Sequence, residues 1–554
     1  MMYISTIIGA LGLFLSTGTV LAAQTASEAA GGAAADQAAA ETVPGATATV
    51  DPLLTVATPL AAWLAALPIA LPLLGAGLTL VLRNLPRWQA PMALIVLGLT
   101  ALTAVGLSAV VEATGPIMMA MGNWTPPFGI VIAVDSLGAL LVLVTSLVGL
   151  IGIGYARLDV GDEGVKYGFY SFYLLLICGV NGAFSTGDIF NLYVWFEVFL
   201  ISSFGLMILG GTNIQLDGAV KYGVLNLIAT TVFLIAVGAT YGATGTLNMA
   251  DLQRVLADND AAPLLTIAAL FVLAFAMKAA AFPLHFWLPA SYHTPKVIVS
   301  AIFAGLLTKV GVYSLMRIVV MLFGADGAVY MPLIVILGVL TAVLGAMGAL
   351  AQVDLKRLAA FLVVSGIGVM MIGIGLGTQQ GLTGAIVYTV HSILVMTGLF
   401  LILGMCDRLS QGGSLLQAGG LYSARGFAAA LFLVFGFSTA GLPPFSGFWP
   451  KFILVEASLA VEGSIAILGV LGIIISGFIT TIVIGRAWAL VFLTPQPAGA
   501  PAVSAEPVNP AVIILAGFVV GLGLFPAFVV DPAINGAAGL LNPSAYVTEV
   551  LGGR

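Results

Sequence analysis

Residues 271–311, FVLAFAMKAAAFPLHFWLPASYHTPKVIVSAIFAGLLTKVG, determine how the whole chain is interpreted. Two apolar segments contain one lysine each, Lys278 and Lys309, and a proline-rich interval separates them. A lysine at membrane depth costs about 2.5–3.5 kcal/mol on insertion scales and usually marks an ion pathway. Pro283 lacks a backbone donor and predicts a helix break just after Lys278, which persists at that depth only if it is buried in protein or lines water. The stretch therefore predicts part of a hydrated, ion-handling pathway inside a bilayer.

The composition excludes an ordinary soluble globular protein. Of 554 residues, 60% are hydrophobic and only 7% are charged, whereas soluble domains carry about 25% charged residues. Many apolar stretches approach the roughly 20 residues that span hydrocarbon as a helix, so we predict an all-α polytopic membrane protein. Fourteen spans are expected, at about 58–82, 90–111, 131–155, 167–187, 189–210, 219–241, 262–283, 297–322, 330–351, 356–377, 382–404, 427–455, 464–493 and 510–530.

The two ends of the chain differ from this apolar body. Residues 1–23 form a short apolar run that ends in small residues, which is typical of a signal peptide, and an extra transmembrane helix is the alternative. Residues 24–57 are rich in Ala, Thr and Gly, contain acidic residues and no Lys or Arg, and are expected to be a disordered linker. Residues 58–530 are expected to form the transmembrane domain, and residues 531–554 a C-terminal tail.

The basic residues predict the orientation of the chain. Most of them fall on or beside the connections that follow odd-numbered spans: Arg83, Arg87, Arg157, Lys166, Lys296, Lys356, Arg357, Arg408, Arg425 and Arg486. The opposite connections hold little besides Arg254, and Arg317 near a helix end. By the positive-inside rule the odd-to-even connections are cytoplasmic, so both termini face outward. The predicted location is the inner membrane of a bacterial cell.

Two similar segments suggest an internal repeat. AAAFPLHFWLPASY (279–292) and TAGLPPFSGFWPKF (439–452) are both aromatic-rich, interrupted by proline and adjacent to a lysine, Lys278 or Lys451. They lie five spans apart, in spans seven and twelve. An odd offset reverses the membrane direction, so the halves would be inverted repeats with broken helices at matching positions, as in many transporters.

Glu197 lies in an apolar fifth span, DIFNLYVWFEVFLISSFGLMILGG. An unpaired carboxylate there would take up a proton, whereas a neighbouring ammonium would hold it ionised. The structural alternative is a buried ion pair that fixes two helices. Lys221 opens the sixth span and could either extend to the headgroups or turn inward to pair with Glu197, and the sequence does not choose between these alternatives.

Lysines and histidines supply the remaining candidate groups. Lysine loses its proton readily when buried, and histidine titrates near neutral pH unaided. Together with Glu197 they could form a row of titratable groups at mid-membrane: Lys278, Lys309, Lys451, His285, His293 and His391. The structural alternative for His391 is an imidazole bonded to a backbone carbonyl, and for His293 an ordinary loop histidine.

Several motifs together resemble the antiporter-like subunits of the complex I superfamily, and among these the D subunits of Mrp-type multisubunit Na+/H+ antiporters. In order, they are TGDIFNLYVWFEV, GAVKYGVLNL, KAAAFPLHFWLPASYHTP, VSAIFAGLLTKVGVY, DLKRLAAFLVVSGIG and GLPPFSGFWPKF. The resemblance covers about residues 58–530. It implies fourteen helices with two inverted five-helix repeats, spans 4–8 and 9–13, that contain the broken spans 7 and 12.

The resemblance also assigns site residues. It places the family's functional glutamate, lysines and histidine on Glu197, Lys221, Lys278, Lys309, Lys451 and His285. His391 is the eleventh-helix histidine, but Met396 stands where such chains usually carry a lysine five residues later. A relay between the halves would therefore depend on His391 and water.

The function implied is proton uptake coupled to Na+ export, by one subunit among others in a larger membrane complex. The chain would be a secondary-transport subunit and not an enzyme. No cofactor is expected, because the sequence contains no Walker-type glycine loop, nucleophile elbow or His/Cys cluster; a metal site is left open. The alternative is a proton-pumping membrane subunit of an NADH dehydrogenase or a membrane-bound hydrogenase.

Overall fold

The computed structural model describes residues 58–257, 263–410, 414–415, 419–495 and 507–552. The predicted signal peptide or extra helix (1–23) and the predicted acidic linker (24–57) lie outside the described residues, and both stay predictions.

The described chain is built from helices and one two-stranded sheet. The helices are α1 (Trp63–Val81), α2 (Pro86–Thr114), α3 (Ser136–Asp159), α4 (Gly161–Lys166), α5 (Phe169–Ser185), α6 (Ile189–Met207), α7 (Asn213–Thr244), α8 (Met249–Ala257), α9 (Leu264–Ala279), α10 (Trp287–Ser291), α11 (Val297–Ile302), α12 (Thr308–Leu315), α13 (Gly324–Ala328), α14 (Met331–Ala351), α15 (Leu355–Gly375), α16 (Gln379–Ser410), α17 (Leu421–Ala440), α18 (Phe448–Leu459), α19 (Ser464–Trp488), α20 (Pro510–Leu524), α21 (Ala527–Leu541) and α22 (Ser544–Leu551). The antiparallel strands are β1 (Ile117–Ala120) and β2 (Val131–Val134), with Ile117 opposite Val134. Three π-helical turns continue helices, at Phe303–Leu307, Met316–Leu322 and Ala489–Leu493.

The predicted all-α polytopic class is confirmed. In the described part of the chain, eleven helices are long and apolar enough to cross a membrane once the turns continuous with them are included. Helices α20 and α21 are together long and apolar enough to cross a membrane, but they are bent by 72° at the break between them. Helix α5 and residues 425–440 of α17 are apolar but shorter. Short and broken helices fall below the length of a full span, so the count of fourteen stays a prediction.

The core lies around two central elements. Along their most apolar windows, the continuous helical run 297–322 and helix α16 are fully buried, while α1, α2, α14 and α19 are less than half buried. Helices that are apolar all round belong in the interior, whereas a half-buried apolar helix of a membrane protein presents its other face to lipid. The centre of the protein is therefore where 297–322 and α16 pack together.

Both predicted helix breaks are confirmed. Helix α9 ends at Ala279, and Ala280 adopts a left-handed φ of 60° before helical structure resumes. Helix α17 ends at Ala440, Gly441 has φ 91°, and α18 begins only at Phe448. The inverted relation of the two halves stays a prediction.

Other expectations need correction. Residues 131–134, predicted to begin the third span, form β2, and the span's helix begins at Ser136. The fourteenth span, predicted as one segment, is interrupted near Pro526 between α20 and α21. Helical structure continues through α22 in the region expected to be a tail, and Tyr546 of that helix is buried.

Candidate functional site

Lys278 lies in the last turn of α9, next to the first helix break, with 4% of its surface exposed. Its Nζ donates a hydrogen bond to Thr230 Oγ1 of α7 at 2.7 Å, and it lies 5.4 Å from the centroid of the Phe196 ring. Among the described residues no carboxylate oxygen lies within 4.0 Å of this ammonium. A hydroxyl dipole and an aromatic face therefore surround the ammonium without neutralising its charge.

Glu197 follows Phe196 on α6 and is half-buried. Its Oε1 atom is buried and has no hydrogen-bond partner within the described part of the chain. Glu197 interacts electrostatically with Lys278 and with Tyr222, so the carboxylate and the ammonium belong to one site although they form no direct ion pair. A carboxylate with spare acceptor capacity can accept a proton or a water molecule.

Lys221 lies apart from this pair. Its Nζ bonds Asp217 Oδ2 at 2.5 Å, and the side chains of Lys221 and Asp217 are 51% and 61% exposed. The conformation corresponds to the alternative in which Lys221 points toward the membrane boundary. Asp217 lies in the first turns of α7, which begins at Asn213, and is one helical turn before Lys221.

His285 lies within the first break, in a 3-10 turn of residues Leu284–Phe286. The imidazole is half-buried and 5.9 Å from the Phe282 ring, and its Nδ1 atom is buried without a described partner. Trp287 anchors the same turn to α9 by donating its indole N–H to the Met277 carbonyl at 3.1 Å. The break thus holds one imidazole with an unused ring nitrogen close to the end of α9.

Lys309 is fully buried in the first turn of α12, directly after the π-helical turn Phe303–Leu307. Its Nζ donates to the backbone carbonyl of Ala304 at 2.5 Å. A π-helical turn shifts the backbone hydrogen-bond register, and such turns are frequent at functional sites. The side-chain hydroxyl of Thr308 beside it is also buried and has no described partner. Sequence reasoning identified Lys309 but not the irregular turn that holds it.

His391 lies in the buried helix α16 and is itself buried. Its Nδ1 atom is 2.9 Å from Ser446 Oγ, while Nε2 is buried without a described partner. The imidazole is near enough to Lys309 and Lys451 to interact electrostatically with both. The polar partner is a serine hydroxyl and not the backbone carbonyl that the structural alternative required. The neighbouring Ser392 hydroxyl is likewise buried without a described partner.

Lys451 lies in α18, immediately after the second break. Its Nζ donates to the carbonyls of Ala440 at 2.6 Å and Thr439 at 3.2 Å, which are at the C-terminal end of α17. The last carbonyls of a helix carry partial negative charge and lack helical partners, so they are natural acceptors for an ammonium. Gly441 allows the close approach, because a Cβ atom there would lie 2.5 Å from Lys451 Cδ.

His293 lies outside the spans, on the loop before α11. Its Nδ1 atom is 2.9 Å from the Pro289 carbonyl and must donate to it, since a carbonyl only accepts. Burial lowers the pKa of His293 below its ordinary value; Asp354 opposes the shift, while Arg357 and Lys356 add to it. The structure therefore groups His293 with the charged start of α15, and not with the buried lysines.

Sequence reasoning missed a buried ion pair. Arg317, expected near a helix end, is 1% exposed within a π-helical turn and pairs with Asp135, which is 6% exposed. Tyr313 accepts a hydrogen bond from Arg317 Nε at 3.0 Å, and the Tyr546 ring lies 5.7 Å away. The only sequence signal was one charge inside each of two apolar runs. Among the described residues, no group of three His, Cys, Asp or Glu side chains is placed to hold a metal.

Comparison with known proteins identifies the family of this chain. Residues 186–478 match the family described as NADH:quinone oxidoreductase/Mrp antiporter, transmembrane. The D subunit of the Na+/H+ antiporter of Alkalihalophilus pseudofirmus is 40% identical over 401 residues, which cover 72% of this chain and 81% of that protein. The chain belongs to the Mrp antiporter D-subunit family.

Solved structures of the wider superfamily share the fold. A chain of the Mrp complex from Dietzia sp. DQ12-45-1b superposes with a TM-score of 0.81 at 29% identity, covering 89% of this chain and all of that one. A chain of the membrane-bound sulfane sulfur reductase, an archaeal respiratory membrane complex, gives 0.80 at 27% identity, covering 88% and 99%. The candidate site residues Glu197, Lys221, Lys278, His285, Lys309, His391 and Lys451 all lie inside the family match of 186–478, whereas Asp135 and Tyr546 lie outside it.

Proposed function

We propose that this D-family chain is the proton-translocating subunit of a multisubunit Na+/H+ antiporter. Proton uptake is coupled to Na+ export through a mid-membrane chain of carboxylate, ammonium and imidazole groups. The groups are Glu197, Lys278, His285, Lys309, His391 and Lys451, and Lys221 participates if it leaves Asp217. The names of the similar antiporter proteins support the antiporter assignment, and the assembly of similar chains in an Mrp complex supports hetero-oligomeric partners.

The observation that carries the proposal is the way the three deep lysines are held. Each ammonium donates to a neutral oxygen: a threonine hydroxyl for Lys278, and backbone carbonyls for Lys309 and Lys451. A buried charge without a counter-ion is strongly disfavoured, so its protonation state depends on the charge of its neighbours. Such groups suit a relay better than permanent ion pairs would.

A sequence of charge changes follows from this arrangement. Protonation of Glu197 removes a negative charge from the neighbourhood of Lys278. The loss of this charge makes it easier for Lys278 to release its proton. His285, which lies in the first break, can pass that proton toward Lys309. Met396 is apolar and buried, so it cannot carry a proton. We therefore assign the step between Lys309 and Lys451 to His391. A membrane potential of about 100 mV contributes roughly 2.3 kcal/mol per elementary charge, which is adequate to drive one transfer.

Two substitutions test the proposal. Glu197→Gln and Lys278→Ala should abolish Na+/H+ exchange in inverted vesicles, measured with a pH-sensitive dye, while the complex still assembles. Lys356→Gln is the matched control, because Lys356 is at the membrane boundary and pairs with Asp407 at 3.4 Å. Normal exchange in either test variant would overturn the assignment. Lys221→Gln decides whether the exposed lysine participates.

An alternative function is a proton-pumping subunit of a redox complex, as in an NADH dehydrogenase or a membrane-bound hydrogenase. The similarity to a chain of an archaeal respiratory membrane complex supports this alternative. The two functions differ in their partners, so iron–sulfur or flavin absorption in the purified complex would identify the redox alternative. If partners are required, expression of this chain alone in an antiporter-deficient host should not restore Na+ resistance.

We further infer a location in a bacterial inner membrane, with both termini outside. The basic residues Arg87, Arg157 and Lys166 cluster where α2, α3, α4 and α5 begin or end, on the side assigned to the cytoplasm. Protease protection of a C-terminal tag in right-side-out vesicles would contradict this orientation, and cleavage would agree with it.

A further inference from the structure

A cavity of about 490 Å³ lies far in sequence from the candidate ion pathway, where the ends of four helices meet. The start of α2, the end of α3, the short helix α4 and the start of α5 form its walls. Three cationic side chains line it, Arg87, Arg157 and Lys166, together with one carboxylate, Asp162. The formal charge of the lining is therefore +2.

Asp162 offsets only one of the three positive charges. No carboxylate oxygen lies within 4.0 Å of Arg87, Arg157 or Lys166 among the described residues. Asp162 lies in the first turn of α4, where a carboxylate is favoured by the helix dipole. Three cations that share one pocket repel one another, so a bound anion would lower the free energy of this arrangement.

The surroundings of the cavity indicate which anion it takes. Its walls include apolar surface such as Pro91 and Tyr170 beside the cations. Trp88 and Leu158, the sequence neighbours of Arg87 and Arg157, are 54% and 58% exposed. Tryptophan at this level of a membrane protein is typical of the headgroup region. A soluble anion would need only the charges, whereas a lipid needs charges and adjoining exposed apolar surface together.

We propose that this cavity binds the phosphate headgroup of an anionic phospholipid. The phosphate lies among Arg87, Arg157 and Lys166, since guanidinium groups bind phosphate through two parallel hydrogen bonds. The acyl chains run along the exposed apolar face of α2, which includes Leu94, Ile95, Leu99 and Leu102. Basic pockets between transmembrane helices on the cytoplasmic side are suited to such headgroups. The site is separate from the proposed ion pathway and does not depend on it.

Native mass spectrometry of the full-length chain, released from vesicles of phosphatidylcholine and phosphatidylglycerol in a mild detergent, tests the site. The parent chain should retain phosphatidylglycerol in preference to phosphatidylcholine. The triple variant Arg87→Gln, Arg157→Gln, Lys166→Gln should lose that preference, with retention reduced roughly tenfold or more. The control triple variant Arg83→Gln, Lys296→Gln, Arg486→Gln removes the same charge on the same side and should keep it.

Three outcomes would overturn the proposal. The first is equal retention of the two lipids by the parent chain. The second is equal loss of phosphatidylglycerol in the test and control variants, which would indicate only a general surface charge. The third is complete displacement of phosphatidylglycerol by millimolar inorganic phosphate, which would indicate a site for a soluble anion. If the test variant fails to fold, Arg157→Lys, which keeps the charge but not the paired donors, should still weaken retention.

Discussion

Removing the charge of Asp135 should destabilise the protein far more than removing an exposed charge. Arg317 and Asp135 are 1% and 6% exposed, so Asp135→Asn leaves a guanidinium buried without its counter-ion. Breaking a buried ion pair in this way costs about 3–5 kcal/mol. Asp135 Oδ1 also accepts from the Gly138 backbone N–H at 2.9 Å as the N-cap of α3. Asparagine is an equally good N-cap, so the substitution isolates the loss of charge.

The free energy of unfolding can be measured on the purified chain by titration from mild detergent into sodium dodecyl sulfate, followed by tryptophan fluorescence. Asp217→Asn is the control, since it breaks an exposed pair with Lys221 that should contribute about 0–1 kcal/mol. The double variant Asp135→Asn, Arg317→Met should recover part of the loss, because it leaves no unpaired charge. Equal losses for Asp135→Asn and the control would refute the reasoning.

Two further predictions concern the acceptors of the buried lysines. Thr230→Val keeps the shape of the side chain but removes the acceptor of Lys278. That charge-assisted hydrogen bond contributes about 1.5–3 kcal/mol, so exchange in inverted vesicles should fall by roughly tenfold to a hundredfold. Gly441→Ala forces a Cβ atom to within 2.5 Å of Lys451 Cδ and should displace the ammonium from the end of α17, lowering exchange without loss of the assembled complex.

The chain offers a matched control for each change. Thr231→Val removes the hydroxyl of an exposed neighbour that bonds only its own helix, at Leu227, and should leave exchange unchanged. Gly463→Ala imposes the same kind of backbone strain, since φ there is 109°, but the added Cβ meets no atom within 4 Å. If either control lowers exchange as much as its test variant, the acceptor argument fails.

The sequence was sufficient for features that depend on residue type. Proline within apolar runs located the breaks after Lys278 and before Lys451, because it lacks a backbone donor. Long apolar runs around Lys309 and His391 indicated burial, and both residues are buried. The fold class followed from length and composition alone.

Features that depend on distant pairing or on hydrogen-bond register could not be predicted. Asp135 and Arg317 are 182 positions apart, and nothing local to either indicates the other. The π-helical turn before Lys309 is a shift of backbone register that no residue type requires. Lys221 lies near a helix end where two directions of its side chain have similar cost, so only the packing of α7 decides between them.

The irregular backbone and the buried charges depend on each other. An uninterrupted helix consumes its own carbonyls, so a lysine within it would find no acceptor at membrane depth. Lys309 donates to the Ala304 carbonyl, which lies in the π-helical turn. Lys451 donates to the Ala440 carbonyl, which is exposed at the second break. Lys278, beside the first break, donates to a threonine hydroxyl of α7. A carboxylate in any of these places would hold the lysine charged, whereas a dipole stabilises the charge and still permits the proton to leave. Irregular backbone therefore supplies the acceptor for Lys309 and Lys451, whereas Lys278 uses a side-chain hydroxyl on a continuous helix.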